Sequence, residues 1–159
     1  MTETQKLSRT DRQILRILQR EGRITNVDLA ERIGMSPSPC LRRLKHLETS
    51  GVIAGYSARI DRRAIGLGVE AFVQVSIERH TDVEARVFRQ AVESFPEVVA
   101  CHAMTGAMDF LLRVVVADLD AYGAFAMGKL LKVPGVKDVH SSFVLETLKD
   151  SPTLPLDPE

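Results

Sequence analysis

Residues 25–50, TNVDLAERIGMSPSPCLRRLKHLETS, predict two short helices joined by a tight turn. Thr25, with an acid three residues later, marks the start of the first helix, and Gly34 marks its end. The second helix begins with Pro37, whose missing N–H costs nothing at a first helical position. Only Gly34 and Met35 separate the two helices, so the stretch predicts a helix-turn-helix.

Another helix is predicted before this motif, from about Thr10 to Glu21. Ile14 and Leu18 belong to an apolar stripe with helical spacing. Ser8, followed three residues later by Asp11, resembles a capping box. The first part of the chain is therefore predicted to be a three-helix domain.

The second helix of the motif has two chemically different faces. Its apolar face consists of Cys40, Leu41, Leu44 and Leu47. Its polar face consists of Ser38, Arg42, Lys45, His46 and Thr49, with Arg43 on the flank. A major groove admits a helix of this width, and Arg can donate two hydrogen bonds to guanine.

These faces predict double-stranded DNA as a partner. The predicted DNA-binding residues are Ser36, Ser38, Arg42, Arg43, Lys45 and His46. Hydroxyls and N–H groups at the helix start suit phosphates or base edges. The alternative is a solvated surface, and His46 is as readily an exposed residue as a phosphate contact. Cys40, on the packing face, is predicted to be a small core residue rather than a reactive thiol.

Charge is distributed unevenly along a chain whose net charge is zero. The 159 residues include 21 Lys and Arg and 21 Asp and Glu. Residues 1–63 hold 13 of the basic and 7 of the acidic residues, which leaves +6, and residues 64–159 therefore carry −6. This asymmetry predicts a polyanion partner for the first part and a different task for the second.

Composition predicts a soluble globular protein, with 45% hydrophobic and 26% charged residues. No apolar run approaches the ~18 residues of a membrane span, and the polar N-terminus lacks the pattern of a signal peptide. Cys40 and Cys101 lie far apart without metal-ligand spacing, which indicates a reducing cytoplasm. We therefore expect a cytoplasmic protein that contacts no membrane and needs no cofactor.

Turn-forming residues predict a linker at residues 61–68, after an extended connector from Val52 to Ile60. The helix-turn-helix domain then occupies residues 1–60, and a second domain occupies residues 69–150. Residues 151–159, with three prolines, are predicted to be an extended or disordered tail.

The second domain contains an internal repeat. A shift of 38 residues aligns Phe72 with Phe110, Val73 with Leu111, Ile77 with Val115, Val98 with Val136 and His102 with His140. Each copy is predicted to be strand, helix, strand. The strands are Val69–Glu78, Val98–Met104, Asp109–Ala117 and Val136–Leu148, and the helices are Val83–Ser94 and Leu119–Lys132, with Asp82 and Asp118 as N-caps.

Two such copies predict an α+β fold, in which a ferredoxin-like βαββαβ domain follows the helix-turn-helix. Its four antiparallel strands have both helices on one face. Leu111 and Val115 make the third strand apolar on its other side as well. Because a second copy of the chain is the simplest cover for that side, we expect a homodimer.

A hairpin joins the two repeats. Its predicted effector-binding residues are Thr105, Gly106, Ala107, Met108 and Asp109. Exposed amides around Gly106 can bind a carboxylate, and Asp109 can bind an ammonium group, which together describe an amino acid. A hairpin with this spacing is also common without any ligand.

Several motifs occur in order along nearly the whole chain. They are Asp11-x-x-Ile14-Leu15, Gly22-Arg23, Leu29-Ala30, Ser36 to Leu44, Gly51-Val52-Ile53, Thr105-Gly106-x-x-Asp109, Leu111 to Val114, Pro134-Gly135-Val136 and Ser141-Ser142. With these motifs the sequence resembles the leucine-responsive regulatory protein/AsnC (feast/famine) family of prokaryotic transcription regulators.

The resemblance implies a winged-type helix-turn-helix and a C-terminal domain of the type called RAM, for regulation of amino-acid metabolism. It also implies dimers that assemble further, often to octamers, and effectors, usually amino acids, bound between dimers near the hairpin. Ala107 and Met108 stand where family members often carry an acidic or aromatic pair. The identity of the effector therefore stays open. The alternative function is a DNA-binding regulator or architectural protein that has no effector.

Two other classes of function, an enzyme and an RNA-binding protein, fit the sequence less well than a DNA-binding regulator. A small ferredoxin-like enzyme lacks support, because we find no phosphate loop, no metal-ligand cluster and no set of nucleophile, base and orienting residue. His102 and His140 are interpreted as two strand histidines related by the repeat rather than as metal ligands. An RNA-binding sheet lacks the aromatic stacking residues that it needs.

Overall fold

The computed structural model describes residues 6–78 and 82–156. They form two compact units, one within Met1–Arg59 and Lys149–Glu159 and the other within Ile60–Leu148. The side chain of Asp82, an expected N-cap, and the last three residues of the expected 151–159 tail lie outside this description. No helix of the described residues is long and apolar enough to cross a membrane.

The first unit contains the three predicted helices. They are α1 (Arg9–Leu18), α2 (Asn26–Arg32) and α3 (Pro37–Thr49). The capping box of Ser8 and Asp11 is present, and the side chain of Thr25 caps α2. Helix α1 ends earlier than Glu21 because the N–H groups of Arg20 and Glu21 both donate to one carbonyl, that of Ile17, in a tighter turn.

Gly34 allows α2 and α3 to be joined by a turn of minimal length. Its φ of 67° is left-handed, a conformation that glycine adopts at low cost. Its N–H donates to the carbonyl of Glu31 at 3.0 Å, and the N–H of Met35 donates to the carbonyl of Ala30 at 2.9 Å. This pair of bonds is a Schellman motif, which satisfies the last carbonyls of α2 while the chain turns into α3.

The three helices enclose a small apolar core. Its buried residues are Ile14, Leu15, Leu29, Ala30, Cys40 and Leu47. Burial raises the pKa of the Cys40 thiol, in agreement with its prediction as a core residue. Leu41 was expected on the same face and is instead 40% exposed. Helical periodicity explains this, because it places Leu41 about 100° from Cys40 and about 120° from Leu47.

The C-terminal tail packs against this helical unit. Its described residues 151–156 form no helix or strand. Leu156 packs against the apolar core, and Arg12 of α1 donates from Nη1 to the Leu156 carbonyl at 2.9 Å. Gln19 accepts from the N–H of Leu154 and donates to its carbonyl. The tail is therefore extended and attached to α1 through backbone groups.

The second unit is the predicted ferredoxin-like sandwich. Its elements are β1 (Val69–Ile77), α4 (Asp82–Glu93), β2 (Val98–Ala103), β3 (Phe110–Val116), α5 (Leu119–Gly128), a 3₁₀ turn (Leu130–Lys132) and β4 (Val136–Phe143). The strands are antiparallel in the order β2-β3-β1-β4. Phe88 of α4 and Phe125 of α5 pack in one core with Val73 and Leu112, so both helices cover the same face.

Two predicted element ends were wrong. Strand β4 stops at Phe143 rather than Leu148, because Phe143 already pairs with Ala71 and β1 has few residues left to pair. The helix expected over Leu119–Lys132 ends at Gly128, a residue with low helix propensity, and continues as the 3₁₀ turn. The N-cap prediction at Asp118 is confirmed by its bond to the Ala121 N–H at 2.8 Å.

The repeat of 38 residues aligns β2 with β4 but not β1 with β3. Val73 and Ile77 face the helices, whereas their aligned residues Leu111 and Val115 lie on the opposite face of the sheet. Successive strand residues point to opposite faces, so an offset of one residue exchanges the two faces. The alignment of these apolar positions was therefore wrong by one residue.

Candidate functional site

The polar face of α3 is exposed as predicted. Ser36, Ser38, Arg42, Lys45 and His46 are all exposed, while Cys40 and Leu47 on the other side are buried. Helix α3 thus rests on an apolar face and presents hydroxyl and basic groups outward. A helix with this distribution can enter a major groove without disturbing its own core.

The start of α3 is held by α2 rather than by its own cap. Ser36 occupies the N-cap position, but its side chain makes no capping hydrogen bond. The Nδ2 group of Asn26 donates to the carbonyl of Pro37 at 2.9 Å, so the start of α2 fixes the start of α3. Because Pro37 and Pro39 carry no N–H, the first turn of α3 presents the N–H of Ser38 together with the exposed hydroxyls of Ser36 and Ser38.

Arg43 differs from the other predicted DNA-binding residues, because its side chain points toward α1. Its Nη1 group lies 2.8 Å from Asp11 Oδ1 and donates to the Ser8 hydroxyl at 3.0 Å. Burial opposes the charged form of Asp11, yet hydrogen bonds from Ser8 and from Arg43 lower the pKa of Asp11. The structure thus places Arg43 in a polar clamp, formed by Ser8, Asp11 and Arg43, that holds α3 against α1.

The predicted effector hairpin joins β2 to β3. Thr105, Gly106 and Ala107 are exposed, whereas Met108 and Asp109 are half-buried. Gly106 has a φ of 111°, a value that L side chains rarely adopt. The tip of the hairpin is therefore exposed and has a backbone conformation that glycine adopts readily.

Asp109 anchors the base of this hairpin to β1. Its Oδ2 atom accepts from the N–H of Ile77 at 2.9 Å, and its own N–H donates to the carbonyl of Val75 at 3.1 Å. Its carbonyl accepts from the N–H of Met104 at 2.8 Å. Sequence reasoning assigned Asp109 only to a ligand, whereas the structure also gives it this positioning contact.

The outer face of the sheet is partly apolar and carries an ion network. Phe72 is 41% exposed, and Val115 is already buried within the single chain. Glu70, whose side chain is 8% exposed, lies 2.6 Å from Arg113 Nε and 3.2 Å from Arg62 Nε. Sequence reasoning missed this network, although a lone acid in the apolar strand β1 was a signal for it.

His102 and His140 lie in one row across this outer face. In the strand register His102 pairs with Leu111, Leu111 with Gln74, and Gln74 with His140. Because neighbouring strands lie ~4.8 Å apart, three such steps separate the two histidines by about 14 Å. They cannot bind one metal ion within one chain. Within residues 6–78 and 82–156, no three His, Cys, Asp or Glu residues form a potential metal site.

Comparison with known families matches both parts of the chain. Residues 7–54 match the model described as winged helix-turn-helix DNA-binding. Residues 70–154 match the model described as Lrp/AsnC ligand binding domain. The leucine-responsive regulatory protein of Escherichia coli K12 is 39% identical over 145 residues, which cover 91% of this chain and 88% of that protein.

Solved structures agree with these matches. A transcriptional regulator from Neisseria meningitidis, solved in complex with L-Met, has a TM-score of 0.92 and 44% identity, covering 96% of this chain and 98% of that one. An AsnC family regulator from Agrobacterium tumefaciens has a TM-score of 0.89 and 39% identity, covering 94% and 97% of the two chains. The chain therefore belongs to the Lrp/AsnC family of DNA-binding transcription regulators.

The polar clamp predicts a pH-dependent stability. A lowered pKa means that ionised Asp11 stabilises the folded state above the ordinary value of 3.8, and that this contribution is lost as the pH falls below it. At pH 7, Asp11→Asn and Arg43→Ala should each lower the free energy of unfolding by about 1 to 2 kcal/mol, measured by urea titration. The deficit of Asp11→Asn should shrink below about pH 4.

Arg42→Ala is the matched control, because Arg42 is an exposed neighbour on the same helix. It should leave the free energy of unfolding within about 0.5 kcal/mol of the wild-type value. Equal stability of Arg43→Ala and Arg42→Ala would show that the clamp contributes nothing.

Proposed function

We propose that this regulator binds DNA sequence-specifically through the exposed face of α3 and responds to an amino acid bound at the 105–109 hairpin. The observation that carries the DNA part is the division of α3 into a buried apolar face and an exposed basic face. Ser36, Ser38, Arg42, Lys45 and His46 form the proposed reading face. Arg43 supports it indirectly by fixing α3 against α1.

Each exposed residue suits a different feature of a duplex. Arg42 lies near the middle of α3, where a guanidinium can donate two hydrogen bonds to a guanine edge. Lys45 lies about one turn further on and suits a phosphate. Ser36 and Ser38, at the start of the helix, suit phosphates through hydroxyl and backbone N–H groups. The +6 charge of residues 1–63 adds long-range attraction to the duplex.

Binding to a duplex selected by this chain from a random library tests the reading face. Arg42→Ala should cost about 1 to 3 kcal/mol and relax base preference at one position. Lys45→Ala should weaken all sequences about equally and reduce the slope of log affinity against log salt by about 1. Affinities measured by fluorescence anisotropy across a salt series provide both quantities.

Arg86→Ala is the matched control, since it removes one exposed arginine from α4 in the other unit. It should leave affinity and base preference nearly unchanged. Absence of duplex binding at low salt, or equal losses in Arg42→Ala and Arg86→Ala, would refute the proposed reading face.

The amino-acid part of the proposal is supported by the hairpin and by the Neisseria relative, which was solved with L-Met. The exposed amides around Gly106 suit a carboxylate, and the Asp109 carboxylate suits an ammonium. One oxygen of Asp109 already accepts from Ile77, so the charge of this residue and its anchoring bond have to be tested separately.

Asp109→Asn and Asp109→Ala separate these two roles. The amide oxygen of Asn keeps an acceptor for the Ile77 N–H but removes the charge, whereas Ala removes both. We expect Asn to weaken amino-acid binding at least tenfold with an unchanged melting temperature, and Ala to lower the melting temperature as well. Thermal shift with each of the twenty amino acids measures binding, because a ligand of the folded state raises its stability.

Two outcomes contradict the amino-acid proposal. If no amino acid raises the melting temperature of the wild-type chain, it is a regulator without an amino-acid effector. If Asp109→Asn binds the amino acid as tightly as the wild type does, Asp109 only anchors the hairpin.

We further propose that two chains pair through the outer face of the sheet. Phe72 is exposed there, and Leu111, which pairs with Gln74 on the same face, is half-buried. Burying this face against a second copy removes apolar area from water. Assembly of such dimers to an octamer is the further step that the family resemblance implies. Pairing would also bring two reading helices to one duplex, which suits two half-sites.

Sedimentation of matched variants tests this pairing. Phe72→Lys places a charge on the outer face of the sheet. Val83→Lys places the same charge at an exposed position of α4, on the side of the sheet that the helices cover. The wild type and Val83→Lys should form dimers or larger assemblies at micromolar concentration, and Phe72→Lys should dissociate at least tenfold more readily. A monomeric wild type, or identical behaviour of the two variants, would contradict pairing through this face.

A further inference from the structure

Leu41 interrupts the polar surface that α3 presents. It is 40% exposed, although the apolar residues at Cys40 and Leu47 on the same helix are fully or almost fully buried. Its neighbours three and four residues away on the helix are the exposed Pro37, Ser38 and Lys45 and the half-buried Leu44. An isolated exposed leucine is ordinary on a protein surface, but this one lies within the set of residues proposed to read DNA.

Helix geometry places Leu41 at the border of this set, between Lys45 on one side and core-packed Leu44 on the other. At 3.6 residues per turn, Leu41 lies about 60° from Ser38 and about 40° from Lys45 around the helix axis. Residues three and four apart on a helix are surface neighbours. A groove that receives Ser38 and Lys45 therefore has the side chain of Leu41 at its edge, within reach of a base.

Packing within the unit does not explain Leu41. The apolar core is formed by Cys40 and Leu47, which lie about 100° and 120° from Leu41 around α3, with Leu44 packed against it. Leu41 is not among the residues of that core. The 40% of Leu41 that stays exposed is available for a contact outside the chain.

We propose that Leu41 contacts the 5-methyl group of a thymine in the major groove and so helps to determine base preference. This inference rests on the proposed reading face. Thymine is the only base that presents a methyl group in the major groove, and apolar side chains recognise it by contact. The neighbouring Ser38, Arg42 and Lys45 offer hydrogen bonds and charge, whereas Leu41 offers only apolar surface. Leu41 would therefore favour thymine at the base that it contacts, through an apolar contact that the polar residues cannot make.

Replacing thymine by deoxyuridine tests the proposal, because the exchange removes the methyl group and leaves base pairing intact. Each thymine of the duplex selected by the wild-type chain is replaced in turn, and affinity is measured at fixed salt. At one position per half-site, the replacement should weaken wild-type binding about fourfold, which corresponds to burial of one methyl-sized group. In Leu41→Ala the same replacement should change affinity less than about 1.5-fold.

Two variants serve as controls. Leu41→Met keeps an apolar side chain of similar size and should retain most of the fourfold effect. Val27→Ala shortens another exposed aliphatic residue of the same unit, which lies on α2 and is 60% exposed, and should retain the full effect. Melting temperatures of all variants should match that of the wild type, because the changed side chains are exposed.

The proposal is overturned if no thymine replacement weakens wild-type binding, or if the effect is the same in Leu41→Ala. A different result would show that the exposed face of α3 does not read DNA at all: Arg42→Ala and Lys45→Ala would then bind the duplex as tightly as the wild type does. Losses in those two variants together with an absent methyl effect would reject the role of Leu41 alone.

Discussion

The short turn between α2 and α3 constrains the whole DNA-facing unit. Left-handed Gly34 lets the chain turn from α2 into α3 within the four residues 33–36, rather than the two expected from the sequence, and two backbone hydrogen bonds close the end of α2. Asn26 then holds the carbonyl of Pro37, while Arg43 binds Asp11 on α1. Because α3 is fixed at its start and along its flank, its exposed face is presented in one orientation. A reading helix needs such fixation, since base contacts depend on exact placement.

The second unit explains why the chain is neutral as a whole. A regulator needs a positive surface for DNA, whereas pairing and ligand binding need apolar and hydrogen-bonding surfaces. The chain carries +6 in residues 1–63, which include the helix-turn-helix, and −6 in residues 64–159. On the outer face of the sheet, the carboxylate of Glu70 pairs with both Arg62 and Arg113 beside exposed Phe72.

Local features of the fold were predictable from the sequence, and long-range contacts were not. The capping box at Ser8 and the left-handed Gly34 involve residues close together in the chain, so their patterns are visible in it. The partner of Arg43 lies on another helix, and Arg113 meets Glu70 only in the folded sheet. For the same reason Arg43 was assigned to DNA and Leu41 to the core, although the structure gives them other positions.

A structure of the chain bound to its selected DNA tests most directly whether the exposed face of α3 reads the duplex. We expect α3 to lie in the major groove, with the Arg42 guanidinium at about 3 Å from a base edge. Phosphates that contact another surface of the chain, while Ser38, Arg42 and Lys45 face solvent, would contradict this role of α3.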